Sequence, residues 1–387
     1  MLTQDGCLQR RENLWNALPA DIAWVLIGDA RHVQYFSNFR LNPVSFSADQ
    51  DCLLLLSRDG KATLIADNFT RRTSPLEVFA EEQIVPWYNH KTSVGNRSHA
   101  LVEGLSKVRP VLERGRGLIE AEGVSAQVAD AVGQAGALSC SNDGGEAMTL
   151  GTVVRELRRS KLPDEVDLLK QCMQACDAGH AAAFDAVRAG VTELDVYLKI
   201  QQAAQAAAGC ACVVYGDFRA TNAAVPKAGG LPGTYVLQDG DLFIVDYSVI
   251  IHGYRSDFTN TIAVGQPTDA QQNQFEVCYA ALMSAESALQ AGVAAKDVYQ
   301  AASDILVQRG YPPMAHHCGH GLGMEHPEPP ILVPESTDTL TAGDVVTIEP
   351  GLYIEGVGGM RFEHNYLVTE SGSERLSNHQ PGLVQSE

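Results

Sequence analysis

Apolar residues fall in short runs through the first 157 positions. In ADIAWVLIGDARHVQYFSNF (20–39) an apolar run leads to a turn and then to a helix-compatible segment, which predicts a strand followed by a helix. DCLLLLSRDGKATLIAD (51–67) reads as a hairpin, because two β-rich runs meet at Asp59-Gly60, a dipeptide suited to tight turns. RGLIEAEG (116–123) predicts another strand. Residues 1–157 are therefore expected to form a mixed α/β domain. They carry no catalytic constellation, so their expected role is to shape a substrate pocket or a subunit contact.

A change of pattern follows in RELRRSKLPDEVDLLKQ (155–171). Pro163, with Asp164 and Glu165 behind it, is a helix-start signal. The helical pattern runs to about Arg188 and stops at Gly190. Thr192 then predicts the N-cap of a second helix, with Asp195 three residues on. AGVTELDVY at 189–197 recurs as AGVAAKDVY at 291–299. From Gly190 to Asp246 is 56 residues, and from Gly292 to Glu349 is 57. In each half a helical pair leads to a strand with one carboxylate, and a second carboxylate follows shortly after. This predicts a duplicated domain over 158–387 whose halves face each other.

DLFIVDYSVIIHGYRSDFTNTIAV (241–264) reads as two strands turning near Ile251–Gly253. A turn centred between 251 and 252 sets Asp246 directly opposite Asp257. Moving that centre by one residue makes them diagonal neighbours on the same face. Glu349 and Glu363 share a midpoint at Gly356, in the glycine-rich IEGVGG, so an odd loop there sets them opposite each other. Carboxylates this close repel unless a cation sits between them.

Composition narrows the class. The chain has 387 residues and is 45% hydrophobic, enough for two globular domains. No apolar run approaches the roughly eighteen residues of a membrane span. The start, MLTQDGCLQRRENLW, has no apolar signal core, so a cytoplasmic location is expected. Nine cysteines without a CxxC pair point to free thiols in a reducing compartment. Cys172/Cys176 and Cys210/Cys212 are read as packing residues. A formal charge of −19 disfavours nucleic acid and anionic membrane as partners.

The chemistry concentrates in five short motifs: Asp246 in IVDYS, Asp257 in RSDFTNT, His320 in HHCGHGLG, Glu349 in TIEPG and Glu363 in MRFEH. Four carboxylates and one imidazole can hold two divalent cations side by side. Such oxygen-rich donors suit Mn²⁺, Co²⁺, Fe²⁺ or Zn²⁺. Two such metals, about 3.5–4 Å apart, can activate a bridging water and polarise a carbonyl. Glu325 and Glu328 are expected to be loop acids.

The set VDYS…RSDFTNT, HHCGHGLGMEHPEPP and TIEPGLYIEGVGGMRFEHNYLVT resembles the pita-bread metallopeptidase family of prolidase, aminopeptidase P, methionine aminopeptidase and creatinase. The resemblance implies an α/β (α+β) protein with a creatinase-like N-terminal domain and a duplicated pita-bread catalytic domain. It implies hydrolysis of Xaa-Pro bonds by a metal-bridging hydroxide, with manganese as the expected cation. Asp246 and Asp257 would bind one metal, His320 and Glu349 the second, with Asp257 and Glu363 shared. Glu349 would also be the general base. His316 would steady the substrate or the tetrahedral intermediate, with the His316/His317 doublet leaving open which of the two faces the site. Arg361 would support the ligands. His326, six residues after His320 where seven is usual, would be a further site histidine. A homodimer acting on a small peptide is implied, the N-terminal domain lying near the partner's active site.

Three positions depart from the family pattern. Val225-Pro226-Lys227-Ala228 stands where a Pro-His-Gly stretch is usual. Ser248 replaces a glycine, and Asn260 replaces an arginine. Lys227 is thus a candidate substrate-binding residue, able to bind a small carboxylate. That leaves two alternatives to an Xaa-Pro peptidase: a metal-dependent hydrolase or lyase of the same fold acting on a non-peptide metabolite, or a non-catalytic binding protein.

Overall fold

Asp59-Gly60 does turn the chain. The strands Cys52–Ser57 and Ala62–Asp67 run antiparallel, and Gly60 takes the left-handed conformation at φ 92° that a side chain resists. The computed structural model describes residues 1–41, 51–72, 74, 76–91, 97–141, 145 and 147–384. They divide into two units, Met1–Arg158 and Arg159–Glu387.

The first unit is built on a six-stranded mixed sheet. Its strand order is Glu81–Val85, Ala62–Asp67, Cys52–Ser57, Ile22–Ile27, Arg116–Ile119, Gly136–Ala137. Ile22–Ile27 pairs antiparallel with Cys52–Ser57 and parallel with Arg116–Ile119. All six residues of Cys52–Ser57 are buried, which explains why the run shows no polar alternation. Trp24, Leu53, Ile65, Leu101 and Val128 fill one face of this core.

In the second unit, Pro163–Ala186 starts as expected. Pro163 stands in the first turn, and the Glu165 carboxylate accepts the Leu162 N–H at 3.0 Å. The helix ends before Arg188 because Val187 adopts extended backbone. Thr192 and Asp195 cap Glu193–Ala208 reciprocally, at 2.9 and 3.0 Å. Leu168, Cys172, Met173 and Cys176 are fully buried. Burial pushes the Cys172 thiol up to about 12, so it packs as an apolar group. All nine cysteines are free.

The two halves repeat each other in hydrogen bonds as well as in sequence. The Gly190 N–H donates to Leu237 O and the Leu237 N–H to Val191 O, at 2.9 and 2.8 Å. The Gly292 N–H donates to Leu340 O and the Leu340 N–H to Val293 O, at 2.8 and 2.9 Å. Each helical pair is followed by a sheet. The first contains Val213–Thr221, Leu242–Ile251 and Phe258–Ala263. The second orders Glu328–Leu332, Gly319–Gly321, Val345–Ile348, His364–Thr369 and Gly372–Arg375. Leu282, Val298, Ile348 and Phe362 belong to the core beneath the second sheet. Fully burying one such side chain contributes about 1.5–3 kcal/mol. The halves meet where the Glu363 N–H donates to Thr259 O at 2.9 Å.

One acid is placed differently from expectation. Glu328 is no loop residue: it lies buried on a strand and accepts a 2.8 Å bond from Lys161 Nζ, which is also buried. An ion pair this deep satisfies both charges, and a lysine 167 positions away gave no local signal of it.

Candidate metal centre

His252 and Gly253 form a two-residue turn, both left-handed at φ 49° and 85°, with Ile251 opposite Tyr254. The turn centre lies between 252 and 253, and Asp246 faces Thr259. Asp257 is therefore the diagonal neighbour of Asp246, on the same face. The second pair follows one register throughout: Ile348 faces His364, Gly351 faces Arg361, and Gly356 sits in the middle at φ 84°. That register sets Glu349 opposite Glu363. Ligand-type atoms of Asp246, Asp257 and Glu363 all lie within 4.8 Å of one another.

His320 arrives from the strand Gly319–Gly321. A Cβ on Gly319 would collide with the Thr347 carbonyl and one on Gly321 with the Pro329 carbonyl, so glycine lets this strand lie between two neighbours. His320 Nδ1 lies 2.9 Å from the Gly321 carbonyl, which fixes its proton there and turns Nε2 toward the acids. Nε2 is 3.6 Å from Asp257 Oδ2 and 3.5 Å from Glu349 Oε1. The doublet splits its contacts. His317 Nε2 meets Glu349 Oε1 at 3.0 Å. His316 gives Nδ1 to the His317 carbonyl at 2.8 Å and turns its ring edge toward Tyr353, while its buried Nε2 has no partner. His326 reaches Asp257 Oδ2 at 2.7 Å despite its shifted spacing.

Arg361 spans the other side. Its guanidinium contacts the Asp246 carboxylate, Tyr353 OH at 2.9 Å, Asp217 at 3.7 Å and Glu349 at 3.9 Å. Asp217 and Tyr353 were not singled out from sequence. Asp217 could have been, because it sits opposite Asp246 in the neighbouring strand. Thr259 and Asn365 were also missed. The Thr259 hydroxyl donates to Glu363 Oε2 at 2.7 Å. Asn365 accepts the Asp257 N–H at 3.0 Å.

The electrostatics are those of crowded acids. Burial, then the fields of Asp257 and Glu349, push Asp246 up to about 6 against the pull of Arg361. Burial and the other three carboxylates push Glu363 well above the usual range. Glu349 goes the other way, to about 2: burial opposes its charge, but the bond from His317 and the fields of His320 and Arg361 outweigh that. Arg361 is held charged: burial works against its charge, but the fields of Asp246, Tyr353, Glu349 and Glu363 outweigh that. Glu363 Oε1 is buried without a hydrogen-bond partner. Four convergent carboxylates, one oriented imidazole and an orphaned carboxylate oxygen form a donor set that fits divalent cations.

The three departures resolve into different roles. Ser248 Oγ accepts Arg255 Nε and Nη2 at 3.0 and 2.7 Å, so the added hydroxyl holds a guanidinium. Asn260 is fully buried and clasps the C-terminal segment at Gly382, away from the acids. Lys227 places Nζ 5.3 Å from the centre of the Tyr353 ring, beside the site.

Residues 167–370 match the family description "Metallopeptidase family M24". The chain belongs to metallopeptidase family M24. Over 233 residues the chain is 30% identical to the Xaa-Pro dipeptidase of Pyrococcus furiosus, covering 60% of this chain and 67% of that protein. An uncharacterized peptidase of Staphylococcus aureus is 28% identical over 371 residues, covering 94% and 97%. Among solved structures, an Xaa-Pro dipeptidase from Bacillus anthracis superposes with a TM-score of 0.78 at 25% identity, covering 98% and 99%. An X-Pro aminopeptidase from Thermotoga maritima shares the fold, with a TM-score of 0.79 at 21% identity over 99% of each chain. The likeness to these solved structures therefore extends over the whole chain, including the N-terminal unit, while the M24 match itself lies in the second unit.

Proposed function

We propose that this M24 metallopeptidase hydrolyses Xaa-Pro peptide bonds, with two divalent cations held by Asp246, Asp257, His320, Glu349 and Glu363. The convergence of those five side chains is the observation that carries this reading. The named activity of the Pyrococcus relative supports the substrate class. Bound cations would supply an activated water and stabilise the oxyanion that develops at the scissile carbonyl. Glu349 is placed to take the proton of the attacking water, and His317 fixes its orientation at 3.0 Å. His316 carries an unpartnered Nε2 lone pair, since its other nitrogen is committed to a carbonyl, and it steadies the bound peptide. His326 and Arg361 position Asp257 and Asp246. Manganese is the cation we favour, with cobalt, zinc and iron as the competitors. Nine unpaired thiols support a reducing compartment such as the cytoplasm, and a homodimer is the assembly we propose.

The test is a matrix of activity. Metal-free protein is reloaded separately with Mn²⁺, Co²⁺, Zn²⁺ or Fe²⁺ and offered Xaa-Pro dipeptides and tripeptides. Turnover with at least one metal is expected, together with loss of turnover on chelation. A full matrix without cleavage sinks the peptidase reading and leaves a non-peptide substrate. Sedimentation tests the dimer.

A further inference from the structure

Lys227 sits on a segment fastened at four points. Asn222 Oδ1 accepts the N–H groups of Ala224 and Val225, both at 3.0 Å. The Ala223 carbonyl accepts the Gly356 N–H at 2.9 Å. The Pro226 carbonyl packs so closely on Gly359 that any Cβ there would collide with it. At the far end, Asp217 Oδ1 accepts the Gly230 N–H at 2.6 Å. The lysine is therefore held over the hairpin that carries Tyr353 and Arg361.

Its ammonium lies over the Tyr353 ring at 5.3 Å, the range of a cation–π contact. Among the described residues it has no carboxylate within ion-pairing distance. Several lysines of this chain are likewise unpaired, but Lys227 is so beside four converging acids. The other cation here is committed: Arg361 already serves Asp246 and Tyr353 OH. Tyr353 thus separates a used positive charge from a free one. The His316 ring, whose Nε2 has no partner, lies with its centre 5.8 Å from that of the same tyrosine.

We propose that Lys227 is a specificity-determining residue that pairs with a carboxylate on the substrate, one ring's width from the metal centre, and so selects substrates ending in a free carboxylate just beyond the scissile bond. On the Xaa-Pro reading, this means dipeptides rather than longer peptides. The inference rests on that reading. Two divalent cations would cancel the four carboxylates, leaving the Lys227 ammonium to admit an anion. The loop holds the Lys227 backbone in place, so pairing orders only its exposed side chain, and a charge-assisted bond to a carboxylate is the stronger kind.

The experiment compares Ala-Pro with Ala-Pro-NH₂ and Ala-Pro-Ala, using wild type, Lys227→Met and Lys227→Arg, all metal-loaded. The readout is kcat/KM for the acid divided by that for the amide. Wild type should prefer Ala-Pro. Lys227→Met should lower the ratio about tenfold to hundredfold, mostly through KM, and Lys227→Arg should restore much of it. Inhibition by L-proline against L-prolinamide should lose its charge preference in parallel. Equal losses on acid and amide, or an unchanged ratio, overturn the inference while the peptidase reading stands. A wild type that cleaves none of the three overturns the inference together with the reading beneath it.

Discussion

Asn260 and Gly382 exchange two hydrogen bonds, each 3.0 Å long, one from the side-chain amide to the Gly382 carbonyl and one from the Gly382 N–H back to Oδ1. This clasp belongs to the scaffold. Asn260→Ala leaves the Gly382 N–H without its partner and should cost about 1–3 kcal/mol. Urea unfolding should show that loss, while KM for a cleaved substrate stays within twofold of wild type. A KM rise of tenfold without loss of stability would put Asn260 back in the substrate site.

Arg361 neutralises part of the acid cluster through Asp246 and Asp217. Arg361→Met should destabilise the metal-free protein by about 3 kcal/mol, because a buried carboxylate loses its countercharge. Divalent cations relieve the same repulsion. The rise in Tm on adding Mn²⁺ should therefore be larger in the variant than in wild type. An equal rise in both proteins argues against a shared role.

Glu363 predicts the opposite sign. Its carboxyl is pushed far up by burial and by three neighbouring acids, so it resists ionisation in the metal-free protein. Glu363→Gln should leave the Tm of that form unchanged or slightly higher, yet reduce the metal-induced rise and the bound metal measured by elemental analysis. A large loss of stability without metal would refute this account of the cluster.

His180 is buried with an unpartnered Nε2, and burial lowers its pKa from 6.5 to about 4. The unfolded chain therefore binds a proton that the folded chain refuses between these values. The contribution to stability is intact above pH 6.5 and is lost progressively as the pH falls toward 4, by about 3 kcal/mol in all. His180→Phe should flatten this acid limb in urea titrations between pH 7.5 and 4.5. An unchanged slope would show that His180 does not titrate with unfolding.

The acid pairs were legible because strand geometry is periodic. Once a turn is located near 252 or 356, side-chain alternation decides which acids share a face. The one-residue ambiguity in the first turn was settled by the left-handed pair His252-Gly253, a choice the residues Ile251–Gly253 left open. Lys227 was visible as a departure, but its place over Tyr353 was not. That place depends on Gly356, Gly359 and Asp217, far along the chain. Asp217, Thr259 and Asn365 gave no motif of their own, since each is defined by what it touches. Glu328 read as a loop acid for the same reason.

Sequence alone carried the family, the duplicated pattern and the five candidate metal-type side chains, because these depend on local spacing and residue chemistry. Tertiary structure decided which groups meet them. It set His317 on Glu349, His326 on Asp257, Arg361 on Asp246, and a free ammonium over Tyr353. The reason is physical: a turn or a cap is fixed by neighbours a few residues away, whereas a partner in a buried cluster is fixed by where separate strands come to rest.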